Sequence, residues 1–406
     1  MFLSRFTSGS SVVSEEALAN LKFYRYQAVD LSYTTHYILR HYWNWCVTLF
    51  PLWMAPNLIT LVGLGFVVVN LALFLYYTPD LVGPAPTWLY FSSALGLWLY
   101  STFDNVDGKQ ARRTGTSSPL GELFDHGCDA LNCSIGGLLQ AAAMGMGHSW
   151  LTVGIVFNTS LTFYLSTWEE YHTGVLFLGI INGPTEGLIL ACTAMFCSGL
   201  YGPGIYQLNA RAALGAWAPD FLPADYKVVD CCMFLLLAGA IFTHAPYCLL
   251  AVFRACRRKQ ISYFRTLGEL LPMVLFLGSA YLWLASPDSS IFADQHVALF
   301  ILTAGIAFGR IATKIILAHV TQSAFPWFTV QIFPVLIGAA LTNVPRWLGL
   351  APILTPTYEL YFLWGSFVFA SVAYIHWSLF VIDRFCTYLN IKCLTIPYPP
   401  VEKKAQ

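Results

Sequence analysis

The sequence predicts an all-α polytopic membrane protein, with about ten transmembrane helices and an N-terminal amphipathic helix lying in the membrane interface. Three observations carry this expectation. Of 406 residues, 57% are hydrophobic and only 10% are charged, where an average soluble domain has about 25% charged residues. The charges collect in short clusters between apolar runs close to the ~20 residues needed to cross a bilayer core as a helix. The basic clusters fall on the side that the positive-inside rule assigns to the cytoplasm. Lys plus Arg and Asp plus Glu each number 21, so the formal net charge is zero. That balance excludes a strongly basic nucleic-acid binder and an acidic disordered chain.

Met1 to Glu16 is Ser-rich and lacks the charged-then-apolar layout of a cleaved signal peptide, so membrane insertion is expected to rest on internal helices. Ala17 to Phe50 mixes Lys22, Arg25, Arg40 and His41 with Phe23, Tyr24, Tyr42, Trp43 and Trp45. Part of this stretch reads as the interfacial amphipathic helix. The first span is Asn57 to Tyr77, free of charge, and the second runs from Thr87 to Phe103 and stops at Asp104. Ala130 to Gly147 and Trp150 to Thr167 follow as spans three and four. Pro184 to Tyr201, Val229 to Phe253 and Leu270 to Ala285 are spans five to seven. His296 to Leu317, Phe325 to Leu341 and Tyr358 to Ile382 complete the ten.

With the N-terminus inside, the cytoplasmic connections carry Lys109, Arg112 and Arg113 after span two, then Arg254, Arg257, Arg258, Lys259 and Arg265 after span six. Span eight exits at Arg310 and Lys314, and the tail after span ten carries Arg384, Lys392, Lys403 and Lys404. Topology and charge agree, with both termini cytoplasmic. The eleven cysteines show no C-x2-C pair and no zinc spacing; they read as small apolar side chains inside membrane helices.

The chemistry lies between Asp104 and Asp129. Asp104 and Asp107 are three apart at the end of span two, and Asp125 and Asp129 are four apart at the start of span three. Both spacings put a pair on one helix face, so two helix ends can aim four carboxylates at one point. Such a cluster repels itself and is costly to bury. Hard divalent cations with all-oxygen ligation remove the cost, and four carboxylates suit two ions, Mg²⁺ or Mn²⁺, better than one. Gly108 and Ala111 leave room for a ligand to approach the backbone. Arg112 offers a fixed fork of donors to phosphate, and Gly121, one turn before Asp125, leaves space beside the metals.

The pattern Asp104-x2-Asp107-Gly108-x2-Ala111-Arg112-x8-Gly121-x3-Asp125-x3-Asp129 resembles the signature of the CDP-alcohol phosphotransferase family at every fixed position. The flanks Gly108–Thr114, Pro119–Gly127 and Pro51–Thr60 look like the eukaryotic choline/ethanolamine phosphotransferases; Thr167–His172 and Gly183–Gly187 are most similar to fungal members. The resemblance implies transfer of phosphocholine or phosphoethanolamine from a CDP-alcohol to the hydroxyl of diacylglycerol. It implies phosphatidylcholine or phosphatidylethanolamine and CMP as products, and a homodimer in the endoplasmic reticulum or Golgi membrane with the site facing the cytoplasm. Asp104, Asp107, Asp125 and Asp129 would hold two ions, with Gly108, Ala111, Arg112 and Gly121 bordering the nucleotide. Asn57 matches a family position near the donor phosphates, unless it only caps span one.

His126 stands beside Asp125, and an imidazole titrating near pH 6.5 suits general-base work. The Asp125-His126 pair resembles one used that way in this subgroup. Glu186, opening span five in an uncharged stretch, is a candidate to orient His126, or a carboxylate favoured by the helix dipole. Glu169, Glu170 and His172 read as an interfacial cluster, with contact to the donor head group as the alternative. His36 and His41 read as interfacial, and His244, His319 and His376 as packed or pore-lining.

The expected division of the chain is an interfacial segment at 1–50, a catalytic core at 51–202, additional helices for dimerisation and lipid access at 203–384, and a cytoplasmic tail at 385–406. Two competing functions differ in class. Shorter family members, using CDP-diacylglycerol, have about six spans, so ten spans argue against them. A transporter or scaffold would bury charge at midplane sites and show inverted repeats, whereas these Asp residues sit at helix ends and their motif does not recur. Choline against ethanolamine preference is not decided by the sequence.

Overall fold

A computed structural model describes residues 13–396; the Ser-rich start, and the tail with Lys403 and Lys404, lie outside the described residues. Ser14 caps α1, Glu15–Asn20, by accepting from the Ala17 backbone N–H. Strand β1 is Ala28–Asp30. A π-helical turn, Thr35–Leu39, runs into α2, Arg40–Leu49. Four longer helices follow: α3 Pro56–Tyr77, α4 Thr87–Thr114, α5 Pro119–Ala143 and α6 Trp150–Thr173. Strand β2, Leu176–Leu178, precedes a π turn at Gly183–Gly187 that leads into α7, Leu188–Tyr201. After α8, Ala210–Leu214, helices α9 Val228–Gly239 and α10 Ala245–Lys259 join through the π turn Ala240–His244. Helix α11 Tyr263–Leu267 passes through Gly268–Leu270 into α12 Leu271–Ala285. The last three are α13 Val297–Val320, α14 Phe333–Trp347 and α15 Pro356–Leu389.

Helix covers all or part of each of the ten apolar stretches; in the ninth it begins only at Val330, because Phe325 to Thr329 is irregular. Five of the helical runs are long and apolar enough to cross a membrane: Pro56–Tyr77, Val228–Lys259, Tyr263–Ala285, Val297–Val320 and Pro356–Leu389. The chain is a mostly helical integral membrane protein.

The departures from expectation have local causes. Strands β1 and β2 pair in parallel, Ala28 opposite Leu176 and Asp30 opposite Leu178. Three residues each are too few to show an alternating pattern, so the sheet was not expected in an all-α chain. Arg310 and Lys314 do not mark the exit of span eight, because α13 continues to Val320. Arg310 can lie inside the helix because its guanidinium stacks 3.3 Å above the Trp377 ring of α15.

Helix α13 is the hub. It packs on α5, α6 and α15, and most of its length is buried. Small residues permit the close approach: a side chain at Gly305 would collide with Ser134 of α5, and one at Gly309 with Leu131. One apolar cluster runs from Leu64 of α3 through Leu138, Val156, Phe276 and Phe308 to Leu363 of α15. It joins the first helices to the later ones across residue 202. All eleven cysteines are free.

Candidate active site

The site is built by the turn between α4 and α5. Helix α4 ends where Gly115 takes φ +67°, a left-handed conformation that glycine adopts without strain. Three residues later Ser118 caps α5, accepting from the Gly121 N–H, and Pro119 occupies the first turn, where its missing donor costs nothing. This short connection folds α5 back beside α4 and sets the two Asp pairs against each other.

The two Asp pairs lie close enough for their charges to act on one another. Candidate ligand atoms of Asp125, His126 and Asp129 lie within 4.8 Å of one another. Two neighbours each hold one carboxylate oxygen: Thr60 of α3 donates its hydroxyl to Asp107 Oδ2, and Tyr100 donates its phenol to Asp129 Oδ1. Asp104 Oδ1 and Asp125 Oδ1 are buried without a hydrogen-bond partner. Orphaned carboxylate oxygens, crowded together, fit a site for divalent cations.

The end of α4 is moored so that one basic residue stays outward. Lys109 Nζ donates to Asn44 Oδ1 at 2.8 Å. Arg113 Nη1 donates to the carbonyls of Val47 and Phe50, both at 2.8 Å. Gln110 donates to the carbonyls of Pro51 and Met54. Arg112 is left exposed, its Nη1 3.6 Å from where a Cβ on Gly108 would stand. Asn57 does not cap α3, since Ala55 does; instead its Oδ1 would lie 3.8 Å from a Cβ on Gly121. The structure thus brings Gly108 to Arg112, and Gly121 to Asn57. Ala111, half-buried in the last turns of α4, lies beside them in sequence.

His126 is buried. The carboxylate facing it is not that of Glu186. Glu186 Oε1 accepts from Ser32 Oγ at 2.5 Å and its Oε2 from the Asn182 N–H at 3.0 Å. The first contact ties the turn before α7 to the segment after β1, and the second closes that turn on itself. His126 Nδ1 instead lies 3.9 Å from Glu170 Oε2. Glu169, Glu170 and His172 are all buried, because α10 to α13 cover this end of α6. Lys259 Nζ donates to the His172 carbonyl at 2.6 Å and Glu269 meets His172 Nε2 at 2.5 Å.

A second cluster adjoins the first. Ligand atoms of Glu122, Glu170 and His319 lie within 4.8 Å of one another. His319 comes from α13, and a packed or pore-lining reading of it missed this meeting. Residues 122 and 319 are far apart in sequence and share no motif, so no sequence signal joined them. Tyr26, in the stretch before β1, feels the charge of both clusters. Crowding around its hydroxyl pushes the phenol pKa up, and the negative charges of Glu170, Asp125, Asp104 and Asp107 push it further.

The comparisons with known proteins agree with the motif. Residues 53–217 match the family model described as CDP-alcohol phosphatidyltransferase. Choline/ethanolaminephosphotransferase 1 of Arabidopsis thaliana is 35% identical, over 95% of this chain and 98% of the relative. Cholinephosphotransferase 1 of Saccharomyces cerevisiae is 34% identical over the same shares of both chains. Ethanolaminephosphotransferase 1 of Homo sapiens is 29% identical over 97% of this chain and 96% of its own.

Proposed function

The chain belongs to the CDP-alcohol phosphatidyltransferase family, and from that premise we propose that it transfers phosphocholine or phosphoethanolamine from a CDP-alcohol to diacylglycerol, releasing CMP. The observation that carries this reading is the pair of facing Asp doublets with orphaned buried oxygens, beside an outward-facing Arg112. The near full-length similarity to named choline- and ethanolaminephosphotransferases supports it.

Asp104, Asp107, Asp125 and Asp129 are the residues to hold two Mg²⁺ or Mn²⁺ ions. When bound, such ions neutralise charge on the donor's pyrophosphate and on the departing CMP oxygen. Thr60 and Tyr100 keep two of the carboxylates oriented by donating to one oxygen of each. Arg112 and the bare backbone at Gly108 border the nucleotide with Ala111, while Asn57 lies near the phosphates with Gly121 leaving space beside it.

In the transfer, the acceptor oxygen forms a new bond to the phosphorus of the alcohol phosphate. The bond from that phosphorus to the bridging oxygen of CMP breaks, and CMP leaves with the electron pair. The hydroxyl proton passes to His126. Nδ1 of that ring faces Glu170, which leaves Nε2 to take the proton. The carboxylate of Glu170 stabilises the imidazolium that results.

The proposed topology is ten membrane crossings. The five apolar helical runs named above are joined by α4, α5, α6, the Gly183–Tyr201 run and α14. The motif end faces the cytoplasm of the endoplasmic reticulum or Golgi, where soluble CDP-alcohols are found. Exposed Tyr37, Ile38, Trp45 and Leu49 on the segment through α2 support its lying in the interface, with Leu39, Trp43 and Cys46 packed inward. Residues 51–202 form the catalytic core in this reading. The later helices offer apolar outer faces, such as Phe234, Phe242, Trp364 and Val372, to lipid or to a second copy in a homodimer.

The test is release of CMP by purified protein given CDP-choline or CDP-ethanolamine, diacylglycerol and Mg²⁺. Release that EDTA abolishes, and that falls by a factor on the order of 10²–10⁴ in His126→Ala, is the expected result. No CMP, or CMP release unaffected by EDTA, overturns the reading.

A further inference from the structure

The second cluster has no role in the transfer step apart from the Glu170 carboxylate facing His126. Glu122 comes from the first turn of α5, Glu170 from the end of α6 and His319 from the end of α13. Glu122 is 9% exposed, and neither of its carboxylate oxygens has a hydrogen-bond partner. His319 Nε2 stands 4.0 Å from Glu122 Oε1. The phenol oxygen of Tyr24, whose ring meets the His319 ring edge-on at 5.9 Å, is also buried and unpartnered. Two acids and an aromatic hydroxyl are thus buried together, and the nearby Lys259 donates to the His172 carbonyl rather than pairing with either acid. An uncompensated buried carboxylate is costly, and a cationic ligand removes the cost.

We infer that Glu122, Glu170 and His319, with Tyr24 beside them, form the subsite that receives the positively charged nitrogen of the donor's alcohol. This deepens the proposed function and rests on it. Position supports the assignment. Glu122 precedes His126 by one helical turn, and Glu170 lies 3.9 Å from that imidazole, so the subsite adjoins the proposed base. In a phospho-amino-alcohol the nitrogen is separated from the phosphorus by only one oxygen and two carbons.

The dimensions also rank the head groups. Three atoms mutually within 4.8 Å have a common centre at most 4.8 Å divided by √3, about 2.8 Å, from each, which is an ordinary N–H···O or N–H···N distance. A primary ammonium has three donors and can satisfy all three acceptors from that centre. A trimethylammonium carries methyl groups in place of those donors, so its nitrogen must stand outside the triangle and gains only charge and aromatic contact. The cluster therefore binds an ethanolamine nitrogen by hydrogen bonds and a choline nitrogen by charge.

The experiment uses the full chain in detergent with diacylglycerol and saturating Mg²⁺. KM and kcat are measured for CDP-ethanolamine, CDP-choline and CDP-3,3-dimethylbutanol, in which a neutral tert-butyl group replaces the trimethylammonium. Wild type, Glu122→Gln and His319→Gln are compared. In Glu122→Gln the KM for CDP-ethanolamine rises about tenfold or more and that for CDP-choline rises less. The KM for the neutral donor stays within about twofold, which also shows that the variant is folded. His319→Gln raises the KM for CDP-ethanolamine most. Equal losses with all three donors would overturn the inference, pointing to a structural role or a metal at the cluster. Unchanged KM values would overturn it too. If wild type releases no CMP from any donor, the proposed function has failed instead.

Discussion

Tyr100→Phe tests whether the four Asp residues work as a metal site. The ring of Tyr100 is 3% exposed, packed within α4, and its only polar atom donates to Asp129 Oδ1. The substitution removes one oxygen and leaves the ring in place, so no sizeable cavity forms. What is lost is a hydrogen bond to a charged group, worth about 1.5–3 kcal/mol. At about 1.4 kcal/mol per decade, that weakens ion binding on the order of 10- to 100-fold, the usual range for an outer partner of a metal ligand. The assay is CMP release against free Mg²⁺ concentration. The half-saturating Mg²⁺ is expected to rise by that factor, with kcat at saturating Mg²⁺ within about threefold of wild type. An unchanged half-saturation would refute the reasoning, because Asp129 would then not be a ligand that Tyr100 orients.

Two further predictions follow from named contacts. Glu170→Gln keeps the side chain's shape and removes its charge; measured with the neutral dimethylbutanol donor, to exclude any head-group effect, kcat should fall about tenfold with unchanged dependence on Mg²⁺, and an unchanged kcat would detach Glu170 from His126. In Gly305→Ala the new Cβ would stand 2.4 Å from Ser134 Cβ and 2.5 Å from its Oγ, so α13 and α5 must separate at a cost of about 1–3 kcal/mol. A lower melting temperature in detergent is expected, largely restored by Ser134→Gly in the same chain; a Gly305→Ala protein that melts like wild type would show that this contact is loose.

What was legible in the sequence was local. Apolar run lengths located helix at all ten stretches because each run carries its own signal. The i, i+3 and i, i+4 spacings of the Asp pairs located their faces, and the connection through Gly115 and Pro119 brought the faces together. What was not legible depended on distant packing. Glu170 was visible as one of a pair of acids at a helix end, where an exposed interfacial cluster is the ordinary outcome. It is buried because α13 and the residues around Glu269 close over it, which no feature near residue 170 announces. Glu186 looked isolated in an uncharged stretch, yet Ser32, 154 residues earlier, provides its partner. His319 carried no motif at all.

The charge distribution at this end of the bundle links the two clusters. Asp104, Asp107, Asp125 and Asp129 would be offset by two divalent ions. Glu122 and Glu170 stand outside that set, and the nearby Lys259 is turned to the His172 carbonyl instead. A zero net charge over the whole chain therefore hides an acidic excess at one place, because Arg113 and Lys109 are spent on mooring α4 to carbonyl and amide oxygens. Metal ions alone leave two acids uncompensated, and a substrate that carries its own positive charge completes the balance. On this argument head-group charge and metal binding are separable: altering the Asp cluster changes the Mg²⁺ requirement for every donor, whereas altering Glu122 changes the choice among donors at a fixed Mg²⁺ requirement.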